Sequence, residues 1–188
     1  MKIYTRTGDD GTTGLFYGGR VPKDSDLPTA YGSVDEAQAF LGLARSEVGG
    51  GELAQILLGL ARDLYVVMAE LATAPANRHK LTDGVSRTSK AMVDSLEPLI
   101  DDVTTRFEMP NEFVVPGATR VGALLDVART VVRRAERATV SAVDESSFAL
   151  MYLNRLSDLL WALARWQDGS VVLAKSVAAD TSRQEGSS

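Results

Sequence analysis

The chain contains no cysteine and only one histidine, His79. Without thiols it cannot form disulfides, thiolate zinc sites or iron–sulfur clusters, and it cannot use a cysteine nucleophile. His79 lies in the polar stretch Asn77–Lys80, and an isolated histidine in such a stretch is usually just solvated. We therefore expect neither a Ser-His-Asp hydrolase nor a histidine-rich metal site.

Positive charge and long apolar runs are also scarce. The chain has 20 Lys and Arg against 25 Asp and Glu, a formal net charge of −5, so a general nucleic-acid or anionic-membrane binder is not expected. A local basic patch for a polyphosphate remains compatible with this balance. No window approaches about 18 consecutive apolar residues, and the first residues lack the apolar core of a signal peptide. These absences predict a cytoplasmic protein without nucleic-acid or membrane partners.

The apolar residues that are present follow a helical period. With 188 residues and 45% apolar side chains, the chain is long enough for a single domain over residues 1–188 with a proper core. Apolar positions recurring every three or four residues predict five helices. Their approximate ranges are 29–47, 52–73, 85–106, 119–143 and 145–168. Short connectors favour an all-α, up-and-down bundle over residues 26–168, with an extended piece at 113–117 and a flexible tail at 178–188.

Residues 1–25 show no helical period and are rich in glycine. We expect residues 5–25 to form a long irregular loop, because closely spaced glycines break regular structure. Such glycines let backbone N–H groups approach an anion, while Arg6, Lys23 and nearby hydroxyls add donors for phosphate oxygens. The segment is not a P-loop, since the Gly-Lys-Ser/Thr ending and a preceding strand are both missing. Taken alone it is more often a flexible turn region than a phosphate site.

The fourth predicted helix carries Arg129, Arg133 and Arg137 at a spacing of four residues. This spacing places three guanidinium groups along one stripe. Such a stripe is usually a solvated face paired with acids such as Glu136. Here the opposite side of the helix is apolar, and arginine is suited to bidentate binding of phosphate. The stripe is therefore a candidate phosphate site.

Two further polar positions interrupt predicted helices. Asn154 and Asp158 share a face of the fifth helix, and polar groups there need partners if they are buried. An interhelical role and a functional role are equally compatible with the spacing. Asp35 lies near the start of the first helix, where acids commonly complement the helix dipole.

Taken together and in this order, four segments resemble the PduO-type ATP:corrinoid adenosyltransferases. They are Thr5-Arg6-Thr7-Gly8-Asp9-Asp10-Gly11, residues 30–36 (Ala-Tyr-Gly-Ser-Val-Asp-Glu), residues 128–137 (Ala-Arg-Thr-Val-Val-Arg-Arg-Ala-Glu-Arg) and residues 153–158 (Leu-Asn-Arg-Leu-Ser-Asp). Residues 113–117 (Phe-Val-Val-Pro-Gly) also fit the family's segment before the arginine helix. The resemblance covers about residues 3–168.

The resemblance implies a ferritin-like, cobalamin adenosyltransferase-like five-helix bundle, assembled as a homotrimer with its sites at subunit interfaces. The implied reaction transfers the 5′-deoxyadenosyl group of ATP to the cobalt of cob(I)alamin and gives adenosylcobalamin and triphosphate. It implies ATP bound with Mg²⁺, for which no protein ligands are assigned. Implied partners beyond the substrates are a corrinoid reductase or an adenosylcobalamin-dependent enzyme.

The resemblance also assigns residue roles. ATP would be bound by the N-terminal loop of one subunit and by the bundle of its neighbour, through Thr5, Arg6, Thr7, Gly8, Asp9, Gly11, Lys23, Arg133, Arg137 and Asn154. The implied catalytic residues are Asp35, Arg129, Arg133 and Asn154, with Asp35 and Arg129 forming an intersubunit pair. Phe113 would lie beneath the corrin ring and block the lower axial ligand.

Four positions depart from the family's usual pattern. Asp126 stands where histidine is common, Ala118 where a second glycine is common, Leu27 where a basic residue is common, and Gln38 where asparagine is frequent. Asp126 could pair with Arg129 at i, i+3 and compete with Asp35 for it. An adenosylcobalamin- or ATP-binding carrier or sensor with little turnover is therefore the alternative function, and a purely structural trimer is a third.

Overall fold

The computed structural model describes residues 3–177 and is dominated by helices. In this range the chain forms five α-helices, α1 (Asp26–Val48), α2 (Gly51–Leu71), α3 (Lys90–Thr104), α4 (Arg120–Thr139) and α5 (Ala149–Asp168). Two short 3-10 helices cover Pro75–Lys80 and Ala174–Ser176. The prediction of a helical bundle is confirmed. The predicted tail at 178–188 lies outside the described residues.

The ends of the first helix follow from local chemistry. α1 begins at Asp26, three residues earlier than predicted, with Pro28 in its first turn and Ser25 at the N-cap position. It ends because Gly49 adopts a left-handed conformation (φ 74°), which glycine tolerates at no steric cost.

The predicted N-terminal ends of two other helices were wrong, because each helix is preceded by a turn that the apolar period does not reveal. The backbone N–H groups of Ser86 and Arg87 both donate to the carbonyl of Thr82, so α3 starts only after this turn, at Lys90, with Ser89 as its cap. The segment after α4 is also a turn, in which Asp144 accepts from the backbone of Ser146 at 3.0 Å. α5 therefore starts at Ala149 rather than at 145.

The helices pack in the order α2, α1, α4, α5, α3. Ion pairs between Arg120 and Glu47 and between Arg134 and Glu36 show that α4 runs antiparallel to α1. Since α2 reverses direction at Gly49 and Gly50, the N-terminus of α1, the C-terminus of α2 and the C-terminus of α4 lie at the same end of the bundle. We call this the loop end.

The core is built from the apolar faces of the helices, with Leu41, Leu57, Leu64, Leu125 and Leu160 among its fully buried side chains. The burial of these apolar side chains is the main contribution that stabilises the bundle. Tyr152 is fully buried as well, and its hydroxyl donates to Asp63 Oδ2 on α2 at 3.1 Å. Burial raises the pKa of the Tyr152 phenol well above its ordinary value. None of the helices in residues 3–177 is long and apolar enough to cross a membrane.

The described residues form two small sheets, and the first corrects the expectation that residues 5–25 are wholly irregular. Strands β1 (Thr12–Gly14) and β2 (Arg20–Pro22) form an antiparallel hairpin within that segment. The extended piece predicted at 113–117 is confirmed as β3 (Val114–Val115), which pairs with β4 (Val172–Leu173) after α5. Three-residue strands leave too few alternating positions to be recognised in a sequence.

Candidate active site

The glycine-rich segment is fixed to the loop end of the bundle through its hairpin. The backbone N–H of Phe16 donates to the carbonyl of Ala72 at 2.8 Å, just beyond α2. Gly18 and Gly19 both have φ 94° and close the hairpin turn, a conformation that other residues adopt only with strain. Leu15 is buried beneath it. The predicted loop is therefore a short, anchored hairpin that places residues 5–11 near the start of α1.

Arg20 organises this hairpin, and sequence reasoning missed it. Its guanidinium donates to Thr12 Oγ1 from Nε at 2.9 Å and from Nη2 at 2.7 Å, and it also reaches the carbonyl of Thr7. The Thr12 hydroxyl and backbone N–H donate to Asp10 and lower the pKa of that carboxyl. The only signal in the sequence was a basic residue within a glycine-rich segment, which does not distinguish a loop-organising arginine from a phosphate ligand.

Gly8, Gly11 and Lys23, three predicted ATP-binding residues, lie together. The backbone N–H of Lys23 donates to the carbonyl of Gly11 at 2.9 Å. A Cβ atom placed on Gly8 would lie 3.2 Å from Lys23 Nζ and 3.1 Å from the carbonyl oxygen of Thr12. The ammonium group therefore lies directly against the Gly8 backbone, an arrangement suited to a bound anion.

The other predicted loop residues are exposed on the same segment. The hydroxyl oxygens of Thr5 and Thr7 are 2.8 Å apart. Arg6 has φ 60° and stacks its guanidinium over the Tyr4 ring at 5.4 Å. Asp9 is exposed to solvent, and its backbone N–H donates to the carbonyl of Arg6 at 3.4 Å.

The three arginines of the α4 stripe have different surroundings. Arg129 is half-buried and its Nε lies 3.1 Å from Asp126 Oδ1. Arg133 and Arg137 are exposed, and neither forms an ion pair within residues 3–177. With 1.5 Å per residue, the stripe extends about 12 Å from Arg129 to Arg137, toward the loop end. Their neighbour Arg134 is instead used structurally, since it pairs with Glu36 on α1.

Asn154 is half-buried between α4 and α5. Its Nδ2 donates to Glu136 Oε1 at 2.8 Å, and its Oδ1 accepts from Arg155 Nη1 at 3.0 Å. Glu136, considered above as a partner for the arginine stripe, therefore binds Asn154. Because Glu136 precedes Arg137 by one residue, Asn154 lies at the level of Arg137 along α4. Asp158 points to solvent.

A cleft of about 780 Å³ opens between α4, α5 and the segment that carries Phe113. Phe113 lies at its rim with 89% of its surface exposed. Asp126, Arg129, Trp161 and Arg165 line the cleft. A volume of this size is in the range of cofactor sites.

The β3–β4 pairing holds Phe113 in place. The backbone N–H of Ala174 donates to the carbonyl of Phe113 at 2.8 Å. Beside it, Lys175 Nζ lies 3.0 Å from Glu112 Oε1. The chain that follows α5 thus forms one wall of the cleft, a contribution that the sequence pattern did not predict.

The predicted pair of Asp35 and Arg129 does not form within one chain. Asp35 is exposed on α1, whereas Arg129 is bound to Asp126, the competitor expected from its i, i+3 spacing. A contact with Asp35 of another subunit stays a prediction. Within the described range, no group of three or more His, Asp or Glu side chains is arranged to hold a metal ion.

The fold and site define a helical-bundle protein with an anchored glycine-rich hairpin, two exposed arginines that form no ion pair among residues 3–177, and a large cleft beneath an exposed aromatic ring. The family model described as cobalamin adenosyltransferase matches residues 3–167. The chain belongs to the cobalamin adenosyltransferase family.

Two bacterial relatives are similar to this chain over most of their length. The corrinoid adenosyltransferase of Citrobacter freundii is 40% identical over 173 residues, covering 89% of this chain and 95% of the relative. That of Bacillus subtilis (strain 168) is 39% identical, covering 88% and 86%. A variant of the PduO-type ATP:corrinoid adenosyltransferase from Lactobacillus reuteri, solved with cobalamin and ATP, superposes with a TM-score of 0.81 at 30% identity, covering 93% of this chain and 97% of that one.

Proposed function

We propose that this protein transfers the 5′-deoxyadenosyl group of ATP to the cobalt of cob(I)alamin, producing adenosylcobalamin and triphosphate. The observation that carries the proposal is the position of Arg133 and Arg137. In a member of this family, these two arginines, which form no ion pair among residues 3–177, continue the α4 face from Arg129 in the cleft toward the loop end of the bundle. Unpaired arginines in this position are suited to a polyphosphate whose nucleoside reaches toward the cleft.

The reaction needs little from side chains beyond position and charge. Cobalt(I) attacks the ribose 5′ carbon, the Co–C bond forms as the C–O bond breaks, and the electron pair leaves with triphosphate. Neither a side-chain nucleophile nor a general base is required, which suits a chain without cysteine and with one exposed histidine. Arg133, Arg137 and Lys23 stabilise the charge that develops on the leaving group, and the Gly8 and Gly11 backbone orients it.

Phe113 has a separate role on the corrin side. Its ring is exposed at the rim of the cleft, where it packs against the lower face of the corrin and excludes water or a base from the axial position. Removing that ligand makes the cobalt(II) precursor easier to reduce. Mg²⁺ enters with ATP and is held mainly by phosphate oxygens, in keeping with its preference for few protein ligands.

The site is completed by a second subunit of a homotrimer. Asp35, Arg133 and Arg137 are charged, exposed and without an ion-pair partner within residues 3–177, and Phe113 is an almost fully exposed aromatic. A large aromatic side chain exposed to this extent is typical of a surface that is covered by a ligand or in an assembly. Asp35 of one subunit then meets Arg129 of the next, and the protein acts in the cytoplasm.

One observation favours a second candidate, a carrier or sensor with little turnover. Arg129, expected to pair between subunits, is already bound by Asp126 of its own chain. Asn154 is likewise occupied by Glu136 and Arg155. Both side chains would then serve structure rather than turnover.

Anaerobic spectroscopy of the pure protein with ATP, Mg²⁺ and chemically reduced cob(I)alamin separates the two functions. We expect the cob(I)alamin band to disappear while adenosylcobalamin and triphosphate accumulate over many turnovers. Binding of both substrates with at most one equivalent of product per site would establish the carrier instead. Absence of cobalamin binding would contradict both.

A further inference from the structure

The 3-10 helix at Pro75–Lys80 lies between the glycine hairpin and the turn that joins α4 to α5. We call it the platform helix. The hairpin approaches it closely, because the backbone N–H of Phe16 donates to the carbonyl of Ala72 at 2.8 Å, three residues before the platform helix begins. The tip of the hairpin, residues 16–19, therefore lies against a segment that carries no predicted ligand.

Tyr17, at the tip, docks on the platform helix. Its hydroxyl donates to the carbonyl of Lys80, and its own carbonyl accepts from Asn77 Nδ2, both at 3.4 Å. Lys80 Nζ lies 5.7 Å from the centre of the Tyr17 ring, a distance at which a cation is attracted to the face of the ring. Each contact is weak alone, and together they hold the tip at both ends of the residue.

The backbone of Tyr17 is strained. Its φ of 63° is left-handed, a conformation that glycine adopts freely and asparagine tolerates, but that is unfavourable for an aromatic residue. Such a conformation persists only where the surrounding structure holds it. Because Gly18 and Gly19 follow at φ 94°, a third glycine would close the turn without this strain. The contacts of the Tyr17 side chain with the platform helix offset the strain.

Arg78 fixes the platform helix to the bundle. Its side chain is only 15% exposed, and its Nη1 lies 2.5 Å from Asp144 Oδ2. Its Nη2 donates to the carbonyl of Ala142 at 2.5 Å. Both partners belong to the turn between α4 and α5. These contacts are made within one chain by a largely buried guanidinium group, so they do not depend on how subunits assemble.

The hairpin carries the position of its tip to the predicted phosphate ligands. Its two strands are paired along their whole length, and Arg20 on β2 donates to the carbonyl of Thr7. The backbone N–H of Lys23 donates to the carbonyl of Gly11. Tip and ligands are therefore linked as one unit, and a displacement of the tip also displaces Lys23 and Gly11.

We propose that Tyr17 and Arg78 are positioning residues that hold the hairpin, through the platform helix, where it binds the triphosphate of ATP. The proposal rests on the proposed function and adds two residues that act without touching the substrate. Once the tip is released, ATP must immobilise the hairpin when it binds, so its affinity falls. This loss is the same in the bound complex and in the transition state, so the KM of ATP rises while kcat changes little.

Two variants release the tip in different ways. Tyr17→Asn removes the ring and keeps the left-handed backbone, which asparagine tolerates, whereas Arg78→Ala frees the platform helix from the bundle. We expect each to raise the Kd of MgATP by about fivefold in isothermal titration and the KM of ATP by about the same factor. The kcat and the KM of cob(I)alamin should stay within about twofold of wild type. Tyr17→Phe keeps the ring and should restore nearly wild-type ATP affinity.

Arg87→Ala is the matched control for Arg78→Ala. Arg87 contacts the same turn between α4 and α5, where its Nη2 donates to the carbonyl and the hydroxyl of Ser146 at 3.2 and 2.9 Å. It lies in the turn before α3 and not on the platform helix, so its loss should leave ATP affinity unchanged. Thermal denaturation shows whether each variant is folded, and the half-exposed Tyr17 provides the test if Arg78→Ala does not fold.

A double variant tests whether the two residues act through the same segment. Because both hold the hairpin through the platform helix, Tyr17→Asn with Arg78→Ala should bind MgATP only as weakly as the weaker single variant. Two independent effects would instead multiply, giving a loss of about 25-fold from two fivefold losses.

The outcomes distinguish this inference from the proposed function. Wild-type ATP affinity in Tyr17→Asn, an equal loss in Arg87→Ala, or multiplied losses in the double variant would overturn the positioning role and leave adenosyl transfer standing. A wild-type protein that neither binds MgATP nor forms adenosylcobalamin would overturn both. Weaker ATP binding in Tyr17→Asn and Arg78→Ala that spares Tyr17→Phe and Arg87→Ala would establish the inference.

Discussion

Gly122 and Asp168 approach each other so closely that no larger residue fits at position 122. A Cβ atom built on Gly122 would lie 2.0 Å from Asp168 Oδ1. That oxygen accepts from the backbone N–H and the hydroxyl of Thr119, the N-cap residue of α4, at 3.2 and 3.1 Å. The C-terminus of α5 is thereby joined to the N-terminus of α4, next to the cleft.

This relationship predicts that Gly122→Ala destabilises the protein although alanine favours helices. The added methyl group displaces Asp168, with an expected cost of about 2–3 kcal/mol in the free energy of unfolding after the gain of about 1 kcal/mol in helix propensity. Gly59→Ala in α2 is the matched control, because a Cβ there meets nothing within 4 Å. Chemical denaturation should show the control at or above wild-type stability, and equal stability of the two variants would refute the steric explanation.

Arg133 is expected to contribute directly to ATP binding. Arg133→Ala should weaken ATP binding by about tenfold or more, and Arg133→Lys by less, because lysine keeps the charge but loses the bidentate geometry. Isothermal titration with MgATP measures both. Arg120→Ala, which removes an exposed arginine paired with Glu47, is the control and should bind ATP normally. Wild-type ATP affinity in the Arg133→Ala protein would exclude the proposed contact.

Phe113 is expected to affect the cobalt chemistry and not the nucleotide. Phe113→Ala should reduce turnover by about tenfold or more, because water gains access to the lower axial position, while the Kd of ATP stays within about twofold of wild type. Val115→Ala, two residues along the same segment and partly exposed, controls for disturbance of β3. Unchanged turnover in Phe113→Ala would remove this residue from the mechanism.

A site shared between subunits predicts complementation between two defective variants. Lys23→Ala impairs the glycine hairpin and Arg133→Ala impairs the arginine stripe, so each homotrimer should be nearly inactive. When the two chains are co-expressed and mix at random, about a quarter of the interfaces combine an intact hairpin with an intact stripe. Activity should therefore return to about that fraction of wild type. Continued inactivity of mixed trimers would mean that each chain builds its site alone, and sedimentation as a monomer would exclude the trimer.

Acid should weaken the contact between the α4–α5 turn and the 3-10 helix at Pro75–Lys80. Hydrogen bonds from Ser146 and then Arg78 lower the pKa of Asp144 from 3.8 to about 2. Because the pKa of Asp144 is lower in the folded protein, ionised Asp144 stabilises the fold fully above the pKa of the unfolded chain. This stabilisation is lost as the pH falls through the pKa of the folded protein. The Tm difference between wild type and Asp144→Asn should be constant above about pH 5 and vanish between about pH 4 and pH 2.

Ser146→Ala provides the comparison, since the serine hydroxyl is the largest cause of the shift. Removing the hydroxyl should raise the pH at which the stabilisation by Asp144 is lost, bringing it closer to pH 4, while the Arg78 contact stays in place. A Tm difference between wild type and Asp144→Asn that does not change with pH would contradict this account.

Local signals were sufficient to place the helices. The three-to-four-residue period predicted both ends of α2 and the end of α5 to within a few residues, because amphipathic packing leaves a regular apolar stripe in the sequence. The starts of α3 and α5 were missed, since the turns at Thr82 and Asp144 are made by hydrogen bonds that leave no such period. Arg20 was missed for a similar reason, because its partners are backbone carbonyls and a hydroxyl in a folded hairpin.

The sequence by itself determined the helical bundle, the glycine-rich segment, the arginine stripe and the excluded chemistries, since all of these depend on residue type and short spacing. Tertiary structure alone decided which groups are free. It paired Arg129 with Asp126 and Asn154 with Glu136, left Arg133 and Arg137 without an ion pair among residues 3–177, and brought the chain after α5 against Phe113. Whether a charged side chain is compensated depends on the distance to partners far along the chain, and only the packing of the helices sets that distance.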